Sequence, residues 1–194
     1  MFYQGVKFQT EFLEKKAPKD KRLEELKYWC MIFHNKNLCP PYEGGSYGNM
    51  SFRLTEGSDE FIITGSRIGM KADLDNHSFV HVKNCDLVTK TIYASGCKEP
   101  SSETMLHWSL YKARPEVNAI FHGHSAQILK NTKNLELPTT SKEEPYGSVA
   151  LVEKVLDCVD DLNFIIMKNH GFIALGRNMT ETGEITLTVL KKCS

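Results

Sequence analysis

The sequence predicts an α/β fold built in three layers, α-β-α, around a central and mostly antiparallel sheet. Three observations carry that expectation. Segments with helical period and segments with strand character interleave along the chain, which sets helices against a sheet rather than helix on helix or sheet on sheet. Several strand pairs are joined by tight turns, as at Thr89-Lys90 and Asn169-His170-Gly171, and connections that short cannot join parallel neighbours. The chain of 194 residues suits one domain, 1–194, with no repeat, low-complexity run or linker to divide it.

Taken in order, residues 1–18 mix aromatic with charged side chains, end at Pro18 and read as an N-terminal arm packed on the domain or on a neighbouring subunit. From Asp20 onward Leu23, Leu26, Tyr28, Trp29, Ile32 and Phe33 recur at helical spacing, predicting a helix of about five turns that stops before Pro40-Pro41. GGSYGNMSFRL is a glycine-rich turn running into a strand from Asn49, with Met50, Phe52 and Leu54 on one face. After a turn at Glu56-Gly57-Ser58, Phe61 to Thr64 forms a second strand and ends in the small polar loop Thr64-Gly65-Ser66. Residues 79–95 read as two or three short strands turning near Lys83-Asn84 and Thr89-Lys90. Pro100-Ser101-Ser102-Glu103 opens a helix from Glu103 to Ala113, with serine as its N-cap and a stop before Pro115. Val117 to Phe121 is a short buried strand that delivers His122-Gly123-His124, and Ser125 begins another helix. An amphipathic helix over 148–159, strands at Phe164–Met167 and Phe172–Leu175, and a closing helix from Thr180 complete the chain.

Composition narrows the function classes. Twenty-four basic residues balance twenty-four acidic ones, so no global field draws in nucleic acid or an anionic membrane. No apolar run approaches the ~20 residues of a membrane-spanning helix. The opening MFYQGVKFQTEFLEKK lacks the pattern of a secretory leader, which predicts a soluble, cytoplasmic protein. The six cysteines (Cys30, Cys39, Cys85, Cys97, Cys158 and Cys193) form no CxxC pair and read as reduced thiols.

The candidate chemistry centres on histidine. His122 and His124 are two residues apart at a strand end, so both side chains point to the same side and can share a metal. His170, between Asn169 and Gly171 after a buried strand, is the natural third ligand. Three neutral imidazoles leave a coordination position open, as a catalytic zinc requires. Two half-exposed surface histidines share the HxH spacing, so the spacing alone leaves both readings open. Glu103 can act as acid or base beside such a metal, or serve only as a first-turn carboxylate stabilised by the helix dipole. His107, one turn further, reads as structural support, and His34, His77 and His81 as ordinary residues. Ser101 and Ser102 at a helix N-terminus, with Asn49 and Thr64-Gly65, can cradle a phosphate, although turns use the same residues for conformation alone. No Walker loop or dinucleotide fingerprint is present.

GGSYGNMS, ITGS, PSSE, HGHS and NHG, in that order between about Leu23 and Gly176, resemble the class II aldolase/adducin family. The resemblance implies that His122, His124 and His170 bind one Zn2+ per subunit and that Glu103 is the acid/base. It also implies that Asn49, Thr64, Gly65, Ser101 and Ser102 hold a substrate phosphate. The implied reaction is retro-aldol cleavage of a ketose phosphate, with zinc stabilising the enediolate and Glu103 shuttling the proton. An epimerase or dehydratase on the same metal, and a non-catalytic adducin-like module, are the alternatives. Such enzymes are homotetramers with sites between subunits. The segment LELPTTSKEEPYGS departs from the family pattern: Lys142 or a neighbour stands where the aldolases carry a catalytic tyrosine, with Tyr146 close by.

Overall fold

A computed structural model describes residues 5–193 of the chain. In order, its elements are β1 (Gln9–Glu14), α1 (Leu23–Asn35), β2 (Pro41–Tyr42), β3 (Gly45–Ser46), β4 (Asn49–Arg53), β5 (Phe61–Thr64), β6 (Phe79–Asp86), β7 (Thr91–Gly96) and α2 (Thr104–Ala113). There follow β8 (Ala119–Gly123), α3 (Ala126–Asn131), α4 (Val149–Val159), β9 (Phe164–Met167), β10 (Gly171–Gly176) and α5 (Met179–Lys192). Eight strands form one sheet in the order β1-β7-β6-β5-β4-β8-β10-β9, and β2 and β3 make a separate small hairpin. Every pairing in the large sheet is antiparallel except β1 with β7. The α/β architecture with a large, mostly antiparallel central sheet is therefore present as predicted.

The sheet is covered on both faces. On one side Phe61, Ile63, Val80 and Ile120 pack with Met105, Leu110 and Tyr111 of α2 and Val152 and Val155 of α4. On the other, Met50, Phe52, Phe121 and Phe172 pack with Leu26, Trp29 and Phe33 of α1 and Val189 of α5. Strand alternation assigns β4 to both at once: Met50 and Phe52 join the α1 side, whereas Asn49, Ser51 and Arg53 face α2. Burial of all five β4 residues makes those three polar side chains depend on partners.

The structure departs from the sequence reading at several points. Part of the segment expected to be an arm is β1, paired in parallel register with β7 from Gln9↔Thr91. Main-chain hydrogen bonds hold this edge strand with little burial, so QTEFLE carries no strong hydropathy signal. Residues 1–4 of that segment lie outside the described residues. The turn expected near Lys83-Asn84 is a register shift inside a continuous β6, a bulge rather than a reversal. α1 is 13 residues long, shorter than five turns, because the chain leaves the helix at Asn37, which takes a left-handed φ of 54°. At the start of α2 no serine caps: Glu103 occupies the N-cap position without a side-chain cap bond. Instead the Thr104 hydroxyl donates to the Ser101 carbonyl at 2.6 Å. Ser125, Ser148 and Asn178 do cap α3, α4 and α5 through side-chain oxygens, which places the last helix start at Met179. No helix among the described residues is long and apolar enough to cross a membrane, and all six cysteines are free thiols.

Candidate active site

The centre of the sheet brings the three predicted histidines together. β8 pairs with β4 and β10, which places Asn49 and Ile173 on either side of His122. The β9–β10 hairpin turns through Asn169, at a φ of 56°, and carries His170 back toward the end of β8. Gly171 makes that approach possible, because a Cβ there would lie 2.4 Å from the Gly123 carbonyl oxygen. One donor atom from each of His122, His124 and His170 lies within 4.8 Å of the others. Their ring centroids are 4.8, 5.1 and 5.0 Å apart.

A hydrogen bond orients the His122 ring: its Nδ1–H donates to the Phe172 carbonyl at 2.7 Å, since a carbonyl can only accept, and this aims Nε2 at the cluster. That Nε2 lies 3.0 Å from His124 Nε2 and 3.0 Å from Glu103 Oε2. Glu103 reaches the cluster from the head of α2: its Oε1 is 3.2 Å from His170 Nε2, and its Oε2 accepts from Asn49 Nδ2 at 2.9 Å. Burial pushes the Glu103 carboxyl up, but His122, His170 and the Asn49 amide outweigh it and hold the group well below the usual carboxylate range. Burial, with the neighbouring histidines, pushes His124 well down, and burial foremost lowers His170. Three imidazoles converging beside a buried carboxylate, one with its Nε2 already aimed at the cluster, fit a divalent cation with a free coordination position.

These groups line a cleft of about 250 Å3. Asn49, Gly65, Ser101 and Ser102, expected around a phosphate, are in its wall. Thr64 is not: it is fully buried, and its hydroxyl accepts from Met50 N–H at 3.2 Å behind the wall. The Ser101 N–H is also engaged, donating to the Thr64 carbonyl at 3.1 Å. Other lining residues escaped the sequence reading. Tyr42 and Tyr47 arrive on the β2–β3 hairpin, with the Tyr47 ring 4.7 Å from that of His124. Lys71, 1% exposed, holds this hairpin by donating to Ser46 Oγ at 2.9 Å and the Tyr47 carbonyl at 3.1 Å. Arg67, Glu143, Glu144 and Tyr146 complete the far wall, whereas Lys142 pairs with Glu144 at 2.8 Å and does not line the cleft. Short loops without periodicity supply these groups, so only the clustering of Gly44, Gly45 and Gly48 hinted at a close approach.

A polar seam beneath the cleft holds the acid in place. Asn49, Ser51 and Arg53 on β4 meet Glu103, His107 and Tyr111, one turn apart on α2. Ser51 Oγ shares hydrogen bonds with His107 Nδ1 at 2.7 Å and Tyr111 Oη at 2.8 Å. Arg53 donates to the carbonyls of Tyr111 at 2.8 Å, Arg114 at 3.1 Å and Val117 at 2.9 Å. His107, read as structural support, is fully buried, and burial pushes it from 6.5 down to about 3. Between those values the unfolded chain binds a proton that the folded protein refuses, so stability is complete above about 6.5 and falls as pH drops toward 3. Urea unfolding of His107→Asn should therefore show a smaller loss of midpoint between pH 8 and pH 5 than the parent protein shows. An undiminished loss would remove His107 from the account.

Comparison with known proteins shows the family to which the chain belongs. The sequence profile described as "Class II Aldolase and Adducin N-terminal domain" matches residues 24–194. A protein named L-fuculose phosphate aldolase from Methanococcus maripaludis (strain C7) is 35% identical over 155 residues, covering 72% of this chain and 78% of that protein. A methylthioribulose-1-phosphate dehydratase of Leptospira interrogans is 33% identical over 137 residues, covering 69% of this chain and 49% of its own length. In fold, a sugar-phosphate aldolase structure from Thermotoga maritima superposes with a TM-score of 0.70 at 19% identity, covering 89% of this chain and 92% of its own. On these matches, the chain belongs to the class II aldolase/adducin family.

Proposed function

We propose that the protein is a zinc-dependent aldolase that cleaves a ketose phosphate by retro-aldol chemistry. One observation carries the reading: the buried Glu103 carboxyl stands 3.0 and 3.2 Å from two of three convergent imidazoles, at the wall of a cleft. His122, His124 and His170 would hold the zinc, which supplies Lewis acidity toward the substrate's oxygens. Asn49 fixes Glu103 through Oε2, leaving Oε1, which makes no hydrogen bond, as the atom that moves the proton. In the cleavage direction that oxygen would take the proton from the hydroxyl whose carbon becomes the aldehyde and return it to the carbon freed by the broken carbon–carbon bond, and condensation would run the same transfer in reverse. Gly65, Ser101 and Ser102, with Asn49 beside them, form the neutral side of a phosphate cradle, and Thr64 supports it from behind. The family resemblance supports a cytoplasmic homotetramer as the working assembly.

The test couples metal analysis with product analysis. Protein expressed with ample zinc should carry about one ion per chain, following the three-ligand site. Incubation with a panel of ketose phosphates should release an aldehyde and a three-carbon ketose phosphate, both visible by NMR. A chain that binds no zinc would favour the non-catalytic module instead. Loss of water without carbon–carbon cleavage would favour dehydration, the reading that the 33% identical dehydratase supports.

A further inference from the structure

Resting on that reading, we propose that Lys7 and Arg67 form a cationic clasp on the phosphomonoester end of the substrate, so that the segment ahead of β1 takes part in selecting it. The need arises from charge. A phosphomonoester brings about −1.5 to −2 charges at neutral pH. The cradle residues Asn49, Gly65, Ser101 and Ser102 are neutral, and the cleft wall already carries Glu103, Glu143 and Glu144. Among the described lining residues Arg67 is the sole arginine or lysine. It adopts φ 51°, a left-handed conformation unfavourable for a side chain of this size, directly after Gly65 and Ser66. Main-chain bonds hold those two residues, Gly65 N–H to the Ser78 carbonyl at 2.7 Å and Ser66 N–H to the Glu99 carbonyl at 2.8 Å. The strained residue therefore sits on a loop fixed beside Ser101.

The N-terminal segment meets the same wall. A Cβ on Gly5 would lie 3.7 Å from the Arg67 guanidinium, and the Tyr146 hydroxyl donates to the Gly5 carbonyl at 3.4 Å. Lys7 Nζ stands 4.2 Å over the Tyr146 ring. Tyr146 is in turn seated against the cradle, because the next residue, Gly147, has φ 62° and would place a Cβ 2.6 Å from the Ser102 carbonyl oxygen. No described carboxylate forms an ion pair with Lys7, so its charge is not neutralised within the described chain. Buried Phe8 and the β1–β7 pairing that begins at Gln9 anchor the segment to the sheet. Lys7 lies ahead of residue 24, where the match to the family profile begins.

Inorganic phosphate is the probe, titrated calorimetrically into the full-length protein with and without zinc. Lys7→Met and Arg67→Met should each weaken phosphate binding about tenfold, the scale of one charge-assisted contact. Lys7→Arg should restore it, and Tyr146→Phe, which keeps the ring beneath Nζ, should cost less than Tyr146→Leu. With a turned-over ketose phosphate, the same two methionine variants should raise KM about tenfold at nearly constant kcat. Their kcat/KM should fall less for the unphosphorylated ketose than for the ketose phosphate. Absence of phosphate binding, or affinity unchanged in both variants, would overturn the clasp. Phosphate binding that the variants weaken would support it even if no ketose phosphate were cleaved, an outcome that would count against the proposed aldolase alone.

Discussion

Glu103→Gln should lower kcat by about a hundredfold to ten-thousandfold, the range a positioned proton donor contributes, while the protein keeps its zinc. The substitution preserves the side chain's volume and an oxygen for the Asn49 amide, and it removes the charge that lies 3.0 Å from His122 and 3.2 Å from His170. The two readouts separate roles. If activity and zinc were lost together, Glu103 would be a metal ligand. If activity survived with zinc bound, Glu103 would not move the proton. Asn49→Ala, which releases Oε2, should lower kcat less and leave the metal content unchanged.

His122→Ala is expected to have the larger effect on the metal itself. The His122 side chain is only 1% exposed, and its bond to the Phe172 carbonyl aims Nε2 at the cluster before any ion arrives. Removing it takes away one of the three proposed ligands and the bond that orients it. Zinc affinity should fall at least about a hundredfold, judged from the lesser cost of losing an outer-shell partner alone, and turnover should fall to background. Atomic emission on purified parent and variant, with activity before and after dialysis against a chelator and zinc readdition, would measure both. Stoichiometric zinc in the variant would remove His122 from the ligand set.

Much of this site was legible in advance because its chemistry is concentrated in short segments. HGH and NHG each follow a buried strand, and a strand end presents i and i+2 side chains to one side, so the convergence of His122 and His124 is a local property. Glu103 was legible as a residue at a helix start, and only the family resemblance preferred an acid/base role over a first-turn carboxylate. A dipole-stabilised carboxylate and a buried acid are the same letter in the same position until β4 and β8 are placed beside it. The Thr64 hydroxyl shows the reverse error, since a residue that looked available for phosphate turns inward to Met50 N–H. Tyr42, Tyr47 and Arg67 left no pattern, because loop residues acquire a role from where the loop lands.

The sequence by itself determined the class of fold, the type of nearly every element and the three histidines that the fold brings together. Helical period, strand alternation and turn residues act over a few positions and can be read there. Only the tertiary structure decided that QTEFLE is an edge strand, that Ser51 and Arg53 lock β4 to α2 beneath Glu103, and that Lys7 packs over the ring of Tyr146, a residue of the cleft wall far away in sequence. Sheet order makes these decisions. Parallel pairing of β1 with β7, and the insertion of β8 between β4 and β10, follow from which apolar faces can be buried together, an energy summed over the whole core rather than written in any one segment.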